Sequence, residues 1–343
     1  MGNEITGANL VYTFYLFKIA ELSHKLRSNM WAYLIRRLLY SVPILFGVSL
    51  VVFSLFNLVG GDPAVLLLGK HATAERVAMV RTELGLDRPK IVQFAEYLRE
   101  VVTFDFGKSY TTREVIKDKI MSGIGPTLSL TIPAFILTAF LSLTIALVVS
   151  YYRGRWIDRV SLMFFVLLMS LPGLAYILFG QYILASKLGW FPISGYSASW
   201  GERANYLALP VIISVLLNLG SDIRFFRNSI IEEVTQDYVR TARAKGLSEH
   251  LVYLKHVLKN SMIPVITYIV IQIPYLVLGS LLLESFFAIP GIGGMTVEAV
   301  NNSDFPVLKA MTTVISMVYI ITTALTDVLY RLVDPRMSFG KKG

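Results

Sequence analysis

Six apolar segments, separated by polar residues, dominate the pattern of this 343-residue chain. They cover residues 38–59, 126–152, 160–186, 204–221, 261–283 and 310–330. Each is close to the length, about 20 residues, that an α-helix needs to cross the roughly 30 Å hydrocarbon core of a bilayer. Because lipid offers no hydrogen-bond partner to an open backbone, we predict that all six are helices. The predicted fold class is therefore an all-α integral membrane protein with six transmembrane helices.

Composition and charge favour a membrane protein over a soluble one. Hydrophobic residues make up 55% of the chain and charged residues only 16%, and the mean hydropathy is +0.60. A formal net charge of +9 would indicate nucleic-acid binding in a soluble protein, but here the basic residues flank apolar segments. We therefore predict membrane lipid, and no nucleic acid, as a partner. Cysteine is absent, which excludes disulfides, thiolate metal sites and cysteine nucleophiles.

Lysine and arginine are distributed unevenly between the two sides that six spans would create. Seven lie in the 224–260 segment, whereas the 284–306 segment holds none. Since short cytoplasmic loops are enriched in basic residues, we predict that both termini and the 224–260 loop are cytoplasmic. The longer 60–125 segment contains two helix-like patterns, and we predict a small folded extracytoplasmic loop there.

The first 29 residues stand apart from the spans. Their apolar run, 10–17, is shorter than a span requires, and Lys18 and Glu21 follow it. We predict an N-terminal extension over 1–29, with an interfacial helix as one interpretation. A transmembrane domain is predicted over 30–343.

A polar insert, YVRTARAKGLSEHLVYLKHVLKNSMIP at 238–264, separates the fourth and fifth spans. Helix-favouring residues run from Tyr238 to Lys245, and Gly246 then predicts a helix end or a corner. Leucines recur at helical spacing after it, at Leu247, Leu251, Leu254 and Leu258. The pattern predicts a short helix, a corner and an amphipathic helix. Taken alone, it also fits a basic helix lying on the membrane surface.

The start of this insert, DYVRTARAKGLS at 237–248, resembles the cytoplasmic coupling loop of ABC-importer permeases, in the form found in the dipeptide/oligopeptide branch. The broad pattern of that loop is Glu-Ala-Ala, three residues and Gly. Here Arg240-Thr241-Ala242 stands at the first positions and Gly246 at the glycine. The full pattern continues to Ile-x-Leu-Pro, where this chain has His256-Val257-Leu258-Lys259. The glutamate, one alanine, the isoleucine and the proline are therefore absent. The strings GDP at 61–63, LGLDRP at 84–89 and FGKSY at 106–110 resemble the same branch. The resemblance extends over nearly the whole chain from Met30.

The resemblance implies a type I ABC importer permease fold in the cytoplasmic membrane of a bacterium or archaeon. It implies a transport subunit rather than an enzyme, moving small peptides by alternating access and coupled to ATPases through the 238–259 loop. The implied partners are a second, homologous permease in a heterodimer, two ATP-binding subunits and an extracytoplasmic substrate-binding protein. This chain would bind no cofactor, since ATP and Mg would be used by the partner subunits.

The resemblance also assigns residues to coupling. The implied coupling residues are Val239, Arg240, Thr241, Ala242, Arg243, Ala244, Lys245, Gly246 and Leu247. Of these, the face expected to dock on the ATPase comprises Val239, Ala242, Ala244, Gly246 and Leu247. The three basic residues are expected to pair with acids of the ATPase or with lipid phosphates.

A second set of residues follows the fifth span. Glu284 and the sequence Pro290-Gly291-Ile292-Gly293 resemble an acidic position and a Pro-Gly-x-Gly turn at the outer gate of this family. Either gating or a purely structural turn is expected of Glu284, Pro290, Gly291 and Gly293.

Uncharged polar residues inside the spans form a third set, Gln181, Asn218 and Gln272. They either line a wet translocation path or hydrogen-bond neighbouring helices. Asp222 and Arg224, at the end of the fourth span, are expected to form an ion pair.

Other chemistry finds no support in the pattern. Gly107-Lys108-Ser109 has the tail of a phosphate-binding loop, but Val102 stands where that loop needs glycine. His250 and His256 are six residues apart, which does not place two ligands on one helix face. We therefore predict no catalytic residue and no metal site. Nickel-chelate or oligosaccharide cargo within the same transporter class stays open, as does a non-ABC channel or scaffold.

Overall fold

The computed structural model describes residues 39–59, 62–68 and 73–333. The predicted N-terminal extension, 1–29, lies outside the described residues. The chain divides into two units, Met1–Val48 and Ser49–Gly343, and every contact reported below lies within the second.

The described residues form helices joined by turns, and they contain no β-strand. The helices are, in chain order, α1 Leu39–Asn57, α2 Pro63–Leu68, α3 Ala74–Glu83, α4 Lys90–Thr103, α5 Ile116–Tyr151, α6 Trp156–Ser170, α7 Gly173–Lys187, α8 Trp200–Val234, α9 Asp237–Ala244, α10 Glu249–Leu251, α11 Leu258–Leu278, α12 Leu281–Phe286, α13 Ile292–Asn301 and α14 Phe305–Val333. A π-helical segment, Val252–Val257, joins α10 to α11. The predicted all-α fold class is confirmed.

Five helical stretches within the described residues are long and apolar enough to cross a membrane. They are Leu39–Asn57, Ile116–Tyr151, Trp200–Val234, Glu249–Phe286 and Phe305–Thr326. The bent pair α6 and α7 makes a sixth if the two count as one span.

That bent pair divides the third predicted span, 160–186, into two helices that meet at 91°. The break falls at Leu171 and Pro172. Proline lacks an N–H donor and disfavours helical geometry in the residue before it, and Leu171 is accordingly extended, with ψ 133°. A hydropathy pattern does not register such a break, because both halves are apolar.

The helix α8 is longer than the fourth span predicted at 204–221. It runs unbroken for 35 residues, and it carries Arg224 and Arg227 in its last third. Residues 224–234 of the predicted cytoplasmic loop are therefore helical. The hydropathy pattern ended the span at the first charged residue, whereas the helix itself continues through the charged residues that follow.

The helices α5 and α8 make the most extensive helix–helix contact in the described part of the chain. The side chains that α5 buries recur every four residues at Leu130, Ala134, Thr138 and Ser142. The hydroxyls of Thr138 and Ser142 donate to carbonyls four residues back, at 2.7 and 2.6 Å. Small side chains whose polar atoms are satisfied within their own helix allow two helices to approach closely.

The helix α4 and the loop after it are attached to the long helices. Tyr97 of α4 is buried beside the Phe53 ring, with ring centroids 6.2 Å apart, and its hydroxyl shares a hydrogen bond with Thr313 of α14. Just before α14, the Asp304 carboxylate accepts the N–H groups of Tyr110 and Thr111, at 3.2 and 3.3 Å. These contacts attach α4 to α1 and α14, and attach the loop after α4 to the start of α14.

Candidate functional site

The insert between α8 and α11 folds into a corner at Gly246, here named the Gly246 corner (residues 237–257). The α9 helix ends in a left-handed Gly246, with φ +76°. The Gly246 N–H donates to the Arg243 carbonyl at 2.9 Å, and the Leu247 N–H donates to the Ala242 carbonyl at 3.4 Å. This pair of bonds is the Schellman arrangement, which needs a residue that tolerates positive φ. The helix and corner predicted from the sequence are both present.

The apolar side of α9 packs against its own chain. Val239 and Ala242 are 0% and 4% exposed, and they join one hydrophobic cluster with Val252, Tyr253 and Val257. The expectation that Val239 and Ala242 belong to the docking face is therefore wrong. The apolar stripe of this eight-residue helix covers the core of its own chain.

The leucines after Gly246, predicted to form the apolar face of an amphipathic helix, do not form its buried face. Leu251 and Leu254 are about half exposed, whereas Val252 and Val257 are buried. The segment is π-helical, and its i to i+5 hydrogen-bond pattern brings residues five apart to one side. Spacing arguments based on 3.6 residues per turn therefore fail there.

The corner is fastened to α5. The Tyr253 hydroxyl donates to the Ser150 carbonyl at 3.0 Å, and its ring meets Tyr151 edge-on at 5.2 Å. The corner is thus bonded to the end of α5, and Thr235 and Gln236 join it directly to α8.

The opposite side of the corner is exposed and basic. The coupling residues expected from the sequence that lie on this exposed side are Arg240, Thr241, Arg243, Ala244, Lys245, Gly246 and Leu247. Arg243 forms two hydrogen bonds with the Glu249 carboxylate, at 2.7 and 3.2 Å, and so closes the turn. Arg240 contacts Asp237 at 3.3 Å.

Tyr238 belongs to the same exposed side. Its hydroxyl donates to the Glu233 carboxylate at the end of α8. Partial burial, with Glu233 beside it, raises the pKa of Tyr238 to about 12. The phenol therefore remains a hydrogen-bond donor at any physiological pH.

The second predicted site forms a closed turn, here named the Glu284 turn (residues 279–294). The Glu284 side chain is buried, and its Oε1 accepts the Thr127 hydroxyl and the Ser280 N–H, both at 3.1 Å. Its Oε2 accepts the Gly294 N–H at 3.1 Å. Thr127 in turn accepts the Ile292 N–H at 2.9 Å. One carboxylate thus joins α5, α12 and the start of α13.

The glycines of this turn leave room for that carboxylate. A Cβ on Gly291 would lie 2.3 Å from Glu284 Oε2, and a Cβ on Gly293 would lie 2.9 Å from the Leu281 nitrogen. Pro290, by contrast, is exposed. The structure therefore brings Glu284, Gly291 and Gly293 together and leaves Pro290 at the surface.

The three polar residues predicted for a translocation path separate into two groups. Asn218 and Gln272 line a cavity of about 220 Å³ between α5, α8 and α11. Gln181 lies elsewhere: its amide donates to the carbonyls of Ile193 and Phe286, at 3.1 and 3.0 Å. Gln181 therefore joins neighbouring backbone segments, the second of the two roles expected from the sequence.

The expected ion pair between Asp222 and Arg224 is absent from the described residues. Asp222 instead faces α11, where it accepts the Tyr268 hydroxyl at 2.8 Å. Arg224 is exposed. Residues two apart on a helix point in different directions, which explains the separation.

Comparison with known proteins decides the family. The sequence matches the family described as "Binding-protein-dependent transport system inner membrane component" over residues 140–339. It matches the companion family, "Binding-prot-dependent transport system membrane comp, N-term", over residues 30–131. The chain belongs to this family. Recognition as an ABC importer permease of the peptide and nickel class is thereby confirmed.

Two bacterial permeases are similar in sequence to this permease over most of its length. The glutathione transport system permease protein GsiC of Salmonella choleraesuis (strain SC-B67) is 38% identical over 312 residues, which cover 90% of this chain and 99% of that protein. The protein of the same name from Escherichia coli (strain K12) is 37% identical with the same coverage. The permease is thus a multi-pass inner-membrane transport subunit, which works with a substrate-binding protein and an ATPase.

Sequence reasoning missed one buried ion pair of this permease. Arg227 donates to both carboxylate oxygens of Asp158 at 2.9 Å, and their side chains are only 12% and 6% exposed. Asp158 also accepts the Gly154 N–H at 2.9 Å. The pair fastens α8 to the start of α6. A single acid among the three arginines of the 153–159 segment was the only signal in the sequence.

Proposed function

We propose that this permease moves small peptides across the cytoplasmic membrane by alternating access, driven by partner ATPases through the Gly246 corner. The relatives support the cargo class, because GsiC is named as a glutathione permease and glutathione is itself a small peptide. In this proposal both termini and the corner face the cytoplasm, as the distribution of basic residues favours.

The proposed assembly contains four further components. A second, homologous permease completes the path as a heterodimer, and two ATP-binding subunits bind and hydrolyse ATP with Mg. An extracytoplasmic binding protein delivers the peptide. The permease itself binds no cofactor and catalyses no reaction in this proposal.

The observation that carries the proposal is the two-sided construction of the Gly246 corner. Its inner side is buried and connected to α5 and α8 through Tyr253 and the end of α8. Its outer side is exposed, and a Cβ on Gly246 would meet no atom within 4 Å. A surface that is rigidly attached to long helices and open on its other side suits transmission of force from a docked partner.

The Glu284 turn has the complementary role in this proposal. Its buried carboxylate connects α5, α12 and α13, so these elements move as one body at the outer end of the path. Glu284, Gly291 and Gly293 then preserve the shape of a gate, and Pro290 faces away from their contacts.

Replacement of Gly246 by leucine tests the coupling role against a matched glycine. Gly154 has nearly the same φ, +78° against +76°, and its Cβ would also meet no atom within 4 Å. Leucine at either position therefore carries the same strain, about 1–2 kcal/mol. We expect Gly246→Leu to abolish peptide uptake in proteoliposomes, because the side chain projects into the docking surface. Gly154→Leu should retain it.

The readouts are peptide uptake and binding-protein-stimulated ATP hydrolysis by the assembled transporter. Equal membrane levels of the two variants would exclude a folding defect. Uptake by Gly246→Leu at the rate of Gly154→Leu would remove the corner from the coupling mechanism.

A further inference from the structure

The cavity between α5, α8 and α11 contains one acidic side chain. It measures about 220 Å³, and its polar lining includes Asn218 and Asp222 of α8 and Tyr268 and Gln272 of α11. Within each pair the residues are four apart, so each pair lies on one helix face with a separation of about one turn, 5.4 Å. The Tyr268 hydroxyl bonds Asp222 across the two helices, and Asn218 and Gln272 line the same cavity one turn away on their own helices.

The Tyr268 hydroxyl is held in position toward Asp222. Its ring stacks on Phe225 with centroids 4.4 Å apart and meets Phe226 edge-on at 5.6 Å. The hydroxyl donates to Asp222 Oδ1 at 2.8 Å, and Ser221 lies 3.5 Å from the same oxygen. The carboxylate is thus oriented by uncharged donors.

Asp222 has no basic partner within 4 Å among the described residues, although it is only 8% exposed. An acid inside a membrane-spanning helix is costly and ordinarily has a functional reason. Aliphatic and aromatic side chains, Phe135, Leu217, Ile269 and Leu276, complete the lining. A cation that enters this apolar surrounding is attracted more strongly than it would be in water.

We propose that Asp222 is the anchor of a transient binding site for the ammonium group of the peptide cargo. An ammonium donates three hydrogen bonds. Asp222 supplies one acceptor, and the side-chain oxygens of Asn218 and Gln272 supply two more, since Asn218 uses its own amide nitrogen on the Ser214 carbonyl at 2.8 Å. This site rests on the proposed function, because it needs a cargo that carries an amine.

The size of the cavity fits one end of a cargo. Pockets that enclose a whole ligand measure about 300–1,000 Å³, and this cavity is smaller. A binding site that holds only the amino end releases its cargo readily, as transport requires. The remainder of the peptide extends beyond the described lining.

The test is peptide uptake by the whole transporter in proteoliposomes, with a radiolabelled dipeptide that has a free amino terminus. We expect Asp222→Asn to lower the uptake rate about tenfold, the loss that corresponds to one charge-assisted hydrogen bond. Binding-protein-stimulated ATP hydrolysis should persist, because the corner is untouched. Asp222→Glu should recover most of the uptake. The matched control is Glu298→Gln, which removes a half-exposed acid outside this cavity.

A second measurement reports the chemistry of recognition directly. Equilibrium dialysis of the purified complex, without binding protein, compares the dipeptide with its desamino analogue. The wild-type complex should favour the amine about tenfold, and Asp222→Asn should show no preference.

Each result decides the matter. Equal uptake by the wild type and Asp222→Asn, or no preference for the amine in wild-type dialysis, would overturn the ammonium site and leave the proposed function intact. No dipeptide uptake by the wild-type transporter would overturn the proposed function and this site with it.

Discussion

Gly291 has an ordinary backbone conformation but no room for a side chain. Gly246 has room for a side chain but a left-handed backbone conformation. A Cβ on Gly291 would lie 2.3 Å from Glu284 Oε2 and 2.5 Å from Thr127 Oγ1, while its φ is −99°. A Cβ on Gly246 would meet no atom within 4 Å, but its φ is +76°. The Glu284 turn is complete within the chain, and the Gly246 corner is packed on one side only.

The difference separates two uses of glycine that the sequence does not distinguish. In the Glu284 turn, glycine gives a buried carboxylate room to reach three donors. In the Gly246 corner, glycine permits a left-handed bend that ends a helix and leaves a bare surface. Packing around the residue, rather than its type, tells an internal structural contact from a surface open to a partner.

Substitution in the Glu284 turn should destabilise the protein most. Gly291→Ala should lower the free energy of unfolding by about 3 kcal/mol, because the added methyl displaces Glu284 and weakens its hydrogen bonds. The measurement is the midpoint of thermal unfolding of the purified transporter in detergent.

The control for this variant is Gly201→Ala in α8. A Cβ on Gly201 would meet no atom within 4 Å, and alanine favours a helix over glycine by up to about 1 kcal/mol. Its unfolding midpoint should therefore stay constant or rise slightly. If both variants have the unfolding midpoint of the wild type, the close packing around Glu284 does not stabilise the turn.

A smaller effect is expected at the Gly246 corner, and it should depend on the new residue in a different way. Gly246→Ala should cost about 1 kcal/mol through its positive φ, and Gly246→Asn should cost less, because asparagine tolerates left-handed geometry. At Gly291 the order should reverse, since asparagine is larger than alanine. Unfolding midpoints of the four variants test the comparison, and the same order at both positions would contradict it.

The coarse architecture was accessible from the sequence for physical reasons. Lipid-crossing helices must be apolar over a fixed length, so the span pattern predicted the all-α class. Gly246 predicted a helix end because few other residues adopt positive φ. Glu284 and its glycines were singled out together as a turn. These features depend on local sequence, which a pattern records directly.

Contacts between distant segments were not accessible in the same way. The partner of Glu284, Thr127, lies 157 residues away, and Tyr268 lies 46 residues from Asp222. The burial of Val239 depends on the π-helical segment Val252–Val257, which the spacing of apolar residues in the sequence does not predict. Each of these arrangements is decided by how α5, α8 and α11 pack, and a linear pattern does not contain that information.

Arg243 has a small effect on stability, and its substitution separates the internal contacts of the corner from its external surface. Arg243 and Glu249 form a partly exposed pair, with side chains 37% and 50% exposed, so Arg243→Gln and Glu249→Gln should each cost less than about 1 kcal/mol. Both variants remove the same internal pair, but only Arg243→Gln removes the cation. If the basic side meets acids of the ATPase, Arg243→Gln should lower peptide uptake several-fold, and Glu249→Gln, which frees the guanidinium, should leave it unchanged. Equal uptake by the two variants would mean that Arg243 only closes the turn around Gly246, and that docking depends on the backbone and on the remaining exposed residues of the corner.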